Sequence, residues 1–325
     1  MKKVCLIFPG QGSQYIGMCQ DIYNHHNSAR SMINEISDYA KMDVPNLLFK
    51  STESDLQDTR NAQIAIMSAS VMLYHSLLEG CGDNFLQNNG LELVCTAGHS
   101  LGEYSALYVA GVISLEQTSK LLQKRSLLMA AGNTNAGMMA IIGADVELIS
   151  KIIDEVKMQK QDMVLEIANY NSIGQVVISG HVDAIETFSE IAKNNNIKKC
   201  IKLNVSNAFH SSLMQEAQNG MRTIIESEDF LNPSCPVIQN YTAQFTTDVK
   251  TIKENLVMQI SNQVKWVETV QNAIQHGVEL FIEIGPKNVL TGLIKRIDAN
   301  VQTMNIEKLE DIENFQENIK KLFNK

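Results

Sequence analysis

The chain has 325 residues, 44% hydrophobic and 19% charged, with 36 acidic against 27 basic side chains and a formal net charge of −9. That is enough apolar material for a real core in one large domain or two ordinary ones, and too little charge for a disordered polyelectrolyte. The acidic balance excludes non-specific nucleic-acid binding and an anionic membrane surface as partner, because both need a basic footprint.

The N-terminus, MKKVCLIFPGQGS, starts on a basic pair, but its apolar run is only Val4–Phe8 before Pro9 and Gly10 break it. A secretory signal needs about 7–15 apolar residues. The run therefore predicts a buried first strand closed by a Pro-Gly turn. Apolar residues at helical spacing from Ala62 to Leu78 predict a buried helix, and Asp83–Gly90 reads as a loop. Leu93–Ala97 is a second buried strand, followed at once by Gly98-His99-Ser100-Leu101-Gly102 and a helix over Glu103–Ala110. No stretch approaches the roughly 18 consecutive apolar residues of a membrane span. The six cysteines, Cys5, Cys19, Cys81, Cys95, Cys200 and Cys235, form no C-x-x-C pair and read as reduced thiols. With no signal segment, they point to the cytoplasm.

The middle third changes character. From Met138 the order is strand, helix (Val146–Val156), strand (Val164–Ala168), strand (Gln175–Ser179), helix (Val182–Lys193) and strand (Lys199–Val205). This β-α-β-β-α-β order is ferredoxin-like. It predicts a small subdomain over 132–206 inserted into a large one made of 1–131 and 207–325, with Gly132–Gly137 as the crossing linker. The larger pattern then resumes: a helix over Leu213–Glu226, a strand over Val237–Tyr241, a helix over Val264–His276 and a strand over Leu280–Ile284. A helix over Val289–Ile297, a strand over Val301–Ile306 and a C-terminal helix over Glu310–Phe323 complete it. Alternating strands and helices imply an α/β fold with a mainly parallel sheet.

Gly98-His99-Ser100-Leu101-Gly102 is a G-x-S-x-G between a strand and a helix, the context in which that motif presents a nucleophilic serine on a strained elbow. The Leu101 N–H at the helix start points toward a developing oxyanion. A serine needs a base, and the seven histidines can be sorted. His25 and His26 lie on a polar early segment, His181 follows a strand and His276 closes a helix. His75 sits on a helix without polar companions. His99 adjoins Ser100, so the two side chains should diverge. His210 remains, in a loop where the chain re-enters the large subdomain, the kind of place that carries sites in open α/β sheets. No Asp or Glu announces itself as third member, so a Ser–His dyad steadied by a backbone carbonyl is an option. Pro9-Gly10-Gln11-Gly12 after the first strand suits close backbone approach to a substrate, with Gln11 giving an N–H, or a plain strand-end turn. Arg125, on a Leu-rich helix, is either a snorkelling surface group or a bidentate grip on a carboxylate.

Together these stretches resemble the malonyl-CoA:acyl carrier protein transacylase family. The matching segments are Phe8-Pro9-Gly10-Gln11-Gly12-Ser13-Gln14, Ala97–Leu107 (AGHSLGEYSAL), Arg125 with Met129, Asn169-Tyr170-Asn171-Ser172, Gly174–Gly180, Ala208-Phe209-His210-Ser211, Glu283-Ile284-Gly285-Pro286 and Val289–Leu293. They run in family order over nearly the whole chain. The resemblance implies an α/β-hydrolase-like large subdomain with a ferredoxin-like insertion. It also implies ping-pong malonyl transfer through a malonyl-Ser100 intermediate, with His210 as base and the N–H groups of Gln11 and Leu101 as oxyanion hole. Arg125 would hold the malonyl carboxylate and the Gln259 carbonyl would orient His210. Gln63, His99 and Phe209 would line the pocket, Phe209 leaving little room for a methyl branch. The substrates implied are malonyl-CoA and the phosphopantetheine of holo-acyl carrier protein, with no tightly bound cofactor or metal. The expected state is a cytoplasmic monomer that takes acyl carrier protein as partner, on a basic rim near Lys287, Lys295 and Arg296. The alternatives within that reading are a trans-acting acyltransferase or a proofreading acyl hydrolase of a polyketide synthase.

Overall fold

The computed structural model describes residues 1–131, 135–205 and 207–323. In chain order the strands are β1 (Lys2–Phe8), β2 (Leu91–Gly98), β3 (Ala136–Ile142), β4 (Leu165–Ser172), β5 (Gln175–His181), β6 (Lys199–Lys202), β7 (Val237–Ile238), β8 (Phe245–Thr246), β9 (Leu280–Ile284) and β10 (Gln302–Ile306). They form two sheets.

The first sheet has the order β10-β9-β1-β2-β7-β8. Residues Val4–Phe8 are at most 1% exposed, as a central strand covered on both faces requires. β1 pairs in parallel with β2 and with β9, β9 with β10 and β2 with β7; only the β7–β8 hairpin is antiparallel. Parallel strands finish at one edge, so the segments after β1, β2, β7 and β9 gather there. The helix Thr59–Cys81 lies inside this half, with every side chain from Ala62 to Leu73 buried. By length and hydropathy alone that helix could cross a membrane, but here it is a core element. The helix Leu115–Ala130, opened by a Ser114/Gln117 capping box, packs beside it.

The second sheet has the order β4-β5-β3-β6 and is antiparallel throughout, the ferredoxin-like arrangement. Its two faces follow the period of two. Met139, Ile141, Val176 and Ile178 pack with the helices Val146–Gln159 and Val182–Asn194, while Met138, Ala140 and Val177 join the core of the other half. β4 is tied to that half by hydrogen bonds from Val264 N–H to the Ala168 carbonyl (2.8 Å) and from Tyr170 N–H to the Val264 carbonyl (3.1 Å).

Several predicted elements change at their edges. The expected linker runs into residues 132–134, which lie outside the described residues, as does the boundary residue 206. Its last two residues are already strand, with Ala136 opposite His181 and Gly137 opposite Gly180. The predicted loop Asp83–Gly90 contains a helical turn, Phe85–Asn88, because Phe85 finds the ring of Phe315 at 5.4 Å. The strand predicted over Val237–Tyr241 stops at Ile238, since Gln239 and Asn240 turn to a buried carboxylate. The strand predicted to Val205 ends at Lys202, and the C-terminal helix is broken at Asn314 into Leu309–Glu313 and Phe315–Phe323.

Candidate active site

The end of β2 is shaped by what cannot fit there. A Cβ on Gly98 would lie 2.0 Å from the Gly102 carbonyl, and one on Gly102 would lie 2.2 Å from the Phe8 carbonyl oxygen. With both positions bare, the chain turns sharply from strand into the helix Gly102–Val109 and leaves Ser100 between them at φ +53°. A serine held in the left-handed region is strained, a cost that surrounding structure must offset. Asn240 does so. It accepts the Ser100 N–H on Oδ1 at 2.7 Å and donates from Nδ2 to the Gly98 carbonyl at 2.6 Å.

Ser100 Oγ is 2.8 Å from His210 Nε2, and His210 Nδ1 is 2.8 Å from the Gln259 carbonyl oxygen. A carbonyl only accepts, so Nδ1 carries the proton and Nε2 is free to accept from the serine hydroxyl. His210 is buried and itself sits at φ +58°. Burial, and then the Arg125 guanidinium, press its pKa down to about 3, against which the Gln259 carbonyl works. At neutral pH the imidazole is therefore a neutral acceptor.

Arg125, 1% exposed, reaches the same point from the helix Leu115–Ala130. Its Nη2 donates to Ser100 Oγ (3.0 Å) and Gln259 Oε1 (2.9 Å), and its Nη1 to Gln63 Oε1 (2.6 Å). These partners are all neutral, and the surface reading of this arginine is excluded. Its Nε is buried without a hydrogen-bond partner among the described residues, and the Tyr104 ring lies 5.7 Å from its guanidinium carbon. Gln63 is held in turn by donating from Nε2 to Thr59 Oγ1 at 3.1 Å.

A cavity of about 350 Å³ opens above these groups. Gln11, Gly12, Gln63, His99, Ser100, Leu101, Arg125, Phe209 and His210 line it from the parallel-sheet half, and Met138 and Asn169 from the other. Among the described residues neither the Gln11 nor the Leu101 backbone N–H meets a protein acceptor. The Gln11 side chain turns outward, accepting from Thr59 Oγ1 at 3.3 Å. His99 points away from Ser100 and donates from Nε2 to Asn171 Oδ1 at 2.8 Å. Lys287 stands among the lining residues, its Nζ 3.3 Å from the Gln14 carbonyl. Lys295 folds back onto the Val301 carbonyl (2.5 Å), and Arg296 donates to Gln175 Oε1 (2.7 Å). His75 is not without polar company as expected: its Nε2 meets the Tyr108 hydroxyl.

Two residues of the cluster escaped the sequence reading. Glu103, wholly buried, accepts the Asn240 N–H (2.9 Å) and Gln259 Nε2 (2.8 Å) on Oε2, and Gln239 Nε2 (3.2 Å) on Oε1. Asn240 is the other. The available signal for Glu103 was an acid three positions after the serine, in an otherwise apolar helix. Asn240 carries no local signal, since the partners of its side chain are more than a hundred residues away.

The model of the acyl transferase domain matches residues 5–322. The chain is 36% identical over 320 residues to the malonyl CoA-acyl carrier protein transacylase of Staphylococcus aureus (strain MRSA252), covering 98% of this chain and 100% of that one. It is 35% identical over 315 residues to the protein of that name from Bacillus subtilis (strain 168), covering 96% of each. Among solved structures, the acyl-carrier-protein S-malonyltransferase of Bartonella henselae superposes with a TM-score of 0.91 at 34% identity, over 98% of this chain and 99% of that one. A malonyl-transacylase solved in complex with its type II polyketide-synthase acyl-carrier protein gives 0.90 at 34% identity, over 98% and 100%.

Proposed function

This chain belongs to the acyl transferase domain family, and within it we propose malonyl transfer from malonyl-CoA to the phosphopantetheine thiol of holo-acyl carrier protein, supplying fatty-acid chain elongation. The observation that carries the reading is one serine oxygen standing 2.8 Å from a neutral imidazole and 3.0 Å from a buried guanidinium. A nucleophile and a carboxylate anchor so close together suit a short acyl group with a free acid at its far end.

The Ser100 hydroxyl gives its proton to His210 Nε2 as Oγ attacks the thioester carbonyl. The oxyanion falls to the free N–H groups of Gln11 and Leu101. The Gln259 carbonyl holds the imidazole in the tautomer this step needs and stabilises the imidazolium that forms, as a carboxylate does in a triad. Collapse expels coenzyme A as the thiol, with the proton returned from His210, and leaves malonyl-Ser100. The carrier's phosphopantetheine thiol then repeats the sequence with His210 as base, and transfer restores Ser100. Arg125 exchanges its contact with Ser100 Oγ for the malonyl carboxylate. Phe209 and Met138 wall the acyl site, so the added branch of a methylmalonyl group meets side chains there. No resident cofactor enters this route, and the reaction belongs in the cytoplasm with its substrates.

The identities to named malonyl transacylases and the position of Arg125 favour malonyl transfer over a hydrolase serving a polyketide synthase, since acyl removal needs no carboxylate anchor. The test follows labelled malonyl from coenzyme A to protein and on to holo-carrier. The label should reside on Ser100, and Ser100→Ala should neither take it up nor pass it on. Transfer that survives Ser100→Ala, or free malonate released faster than malonyl-carrier, defeats the proposal.

A further inference from the structure

The dyad lacks an acid, yet a wholly buried carboxylate lies one helical turn from the nucleophile, off the cavity wall. Apart from a backbone bond from the Glu103 N–H to the Ser100 carbonyl (3.1 Å), Glu103 reaches Ser100 and His210 only through two amides, and its carboxylate touches neither residue. Its Oε2 accepts Gln259 Nε2 at 2.8 Å, and the same Nε2 donates to the Ser100 carbonyl at 2.9 Å. That commits Gln259 Oε1 to Arg125 Nη2 (2.9 Å) and places the Gln259 carbonyl under His210 Nδ1 (2.8 Å). On the other side Glu103 accepts the Asn240 N–H at 2.9 Å, and the Asn240 side chain clasps the elbow at Ser100 N and Gly98 O.

We infer that Glu103 is the positioning acid of this site, resting on the transfer reading above: its carboxylate fixes the orientation of Gln259 and Asn240, and through them the imidazole, the guanidinium and the serine elbow. The reason is directional. An ionised carboxylate only accepts, and all three hydrogen-bond partners of the Glu103 carboxylate donate to it. Gln259 therefore cannot flip. A flipped amide would turn its NH₂ toward Arg125, donor against cationic donor, and would withdraw the acceptor that steadies the guanidinium. Adding a proton to Glu103 puts an O–H where no acceptor waits, with the same consequence. Burial pushes that protonation up to about pH 7, against the pull of its three donors and of Arg125. The charged or titratable groups facing it are Arg125 from the helix Leu115–Ala130, Tyr104 from its own helix and, beyond Gln259, His210.

The experiment is the pH dependence of single-turnover Ser100 acylation by malonyl-CoA in the full chain, for wild type, Glu103→Gln and Glu103→Asp, with thermal unfolding run alongside. The wild-type rate should rise through an inflection near pH 7 as the carboxyl ionises. Glu103→Gln should be flat through that range and on the order of tenfold to a hundredfold slower at pH 8, the scale of a misplaced reacting group. Glu103→Asp should be slower than wild type and keep a rising limb. A merely structural role would change the unfolding temperature and leave the shape of the profile alone. The same limb in Glu103→Gln, or the wild-type rate at pH 8 in that variant when folded, overturns the inference. Should Glu103→Gln fail to fold, Glu103→Asp decides: a rising limb supports the role and a flat profile rejects it. Failure of wild type to acylate Ser100 at all would strike the transfer reading instead, so the two are told apart.

Discussion

The two sheets meet at one cavity but supply it differently. The parallel sheet delivers chain ends: the segments after β1, β2 and β7 all arrive at one edge, and they bring Gln11, Ser100, Leu101 and Asn240 together. The antiparallel sheet delivers a face, and Met138 and Asn169 reach the cavity from within strands β3 and β4, Asn169 beside a register shift of β4 against β5. A gathering of chain ends has no redundancy, because each contact in it is made by one specific group, as around Ser100. A sheet face is a wall whose members substitute for one another. Chemistry should therefore fail abruptly when the parallel half is altered and gradually when the wall is.

The elbow is where that contrast should be largest. In Gly102→Ala the new methyl meets the Phe8 carbonyl at 2.2 Å and the Pro9 carbonyl at 2.7 Å, both backbone atoms that cannot swing away. A destabilisation of about 3 kcal/mol or more is expected, with loss of Ser100 labelling by a serine-directed reagent. Denaturant unfolding with that labelling checks it, and a variant as stable and reactive as wild type would show that the elbow tolerates a side chain. Arg125→Ala comes next. It should cut malonyl transfer by about 10²–10³-fold, the scale of one lost charge-stabilising donor, while acetyl transfer falls far less. Equal losses for both acyl groups would remove the carboxylate anchor from the mechanism. On the wall, Met138→Ala should change malonyl transfer by less than about tenfold and mainly through KM, the mark of lost uniform binding. A large fall in kcat there would erase the distinction between the halves.

How much of this was legible in sequence follows from the same contrast. The elbow announced itself because its requirements are local: two bare positions, a preceding strand and a following helix, all within a few residues. The small sheet was legible from the alternation of its strands and helices. What stayed hidden depends on tertiary meeting. Glu103 stood inside a matched segment, yet no acid could be singled out as a partner for His210, because the link runs through Gln259 and is invisible without the fold. Asn240 was assigned to a strand that in fact ends at Ile238, since propensity carries no knowledge of the carboxylate that turns Gln239 and Asn240 inward. By sequence Arg125 reads as easily as a surface group, and only its burial among neutral partners, which depends on the fold, removes that reading.

The smallest effect sharpens the comparison through pH. The buried carboxylates among the described residues are Glu103 and Glu283, both in the parallel-sheet half. Glu283, at the end of β9, accepts the Leu290 and Thr291 N–H groups (3.0 and 2.8 Å) at the start of the helix Val289–Ile297. Burial raises its pKa to about 7 from an ordinary 4.5, against the pull of those donors. A folded pKa above the unfolded one means that the folded state holds the proton more tightly. Its contribution to stability is thus fully present below about pH 4.5 and is lost as pH rises through about 7. Glu103 adds a slope of the same sign and His210 works the other way, since a folded pKa near 3 costs stability as pH falls below 6.5, so wild type alone would mix these slopes. The difference between wild type and Glu283→Gln isolates one of them. Its unfolding-temperature advantage should be greatest near pH 5 and shrink steadily toward pH 8. None of Glu283, Leu290 and Thr291 lines the cavity, so the transfer rate at fixed pH should move little. A difference that stays constant with pH would mean that Glu283 is as ionised in the folded chain as in the unfolded one, and that its N–H donors fully offset its burial.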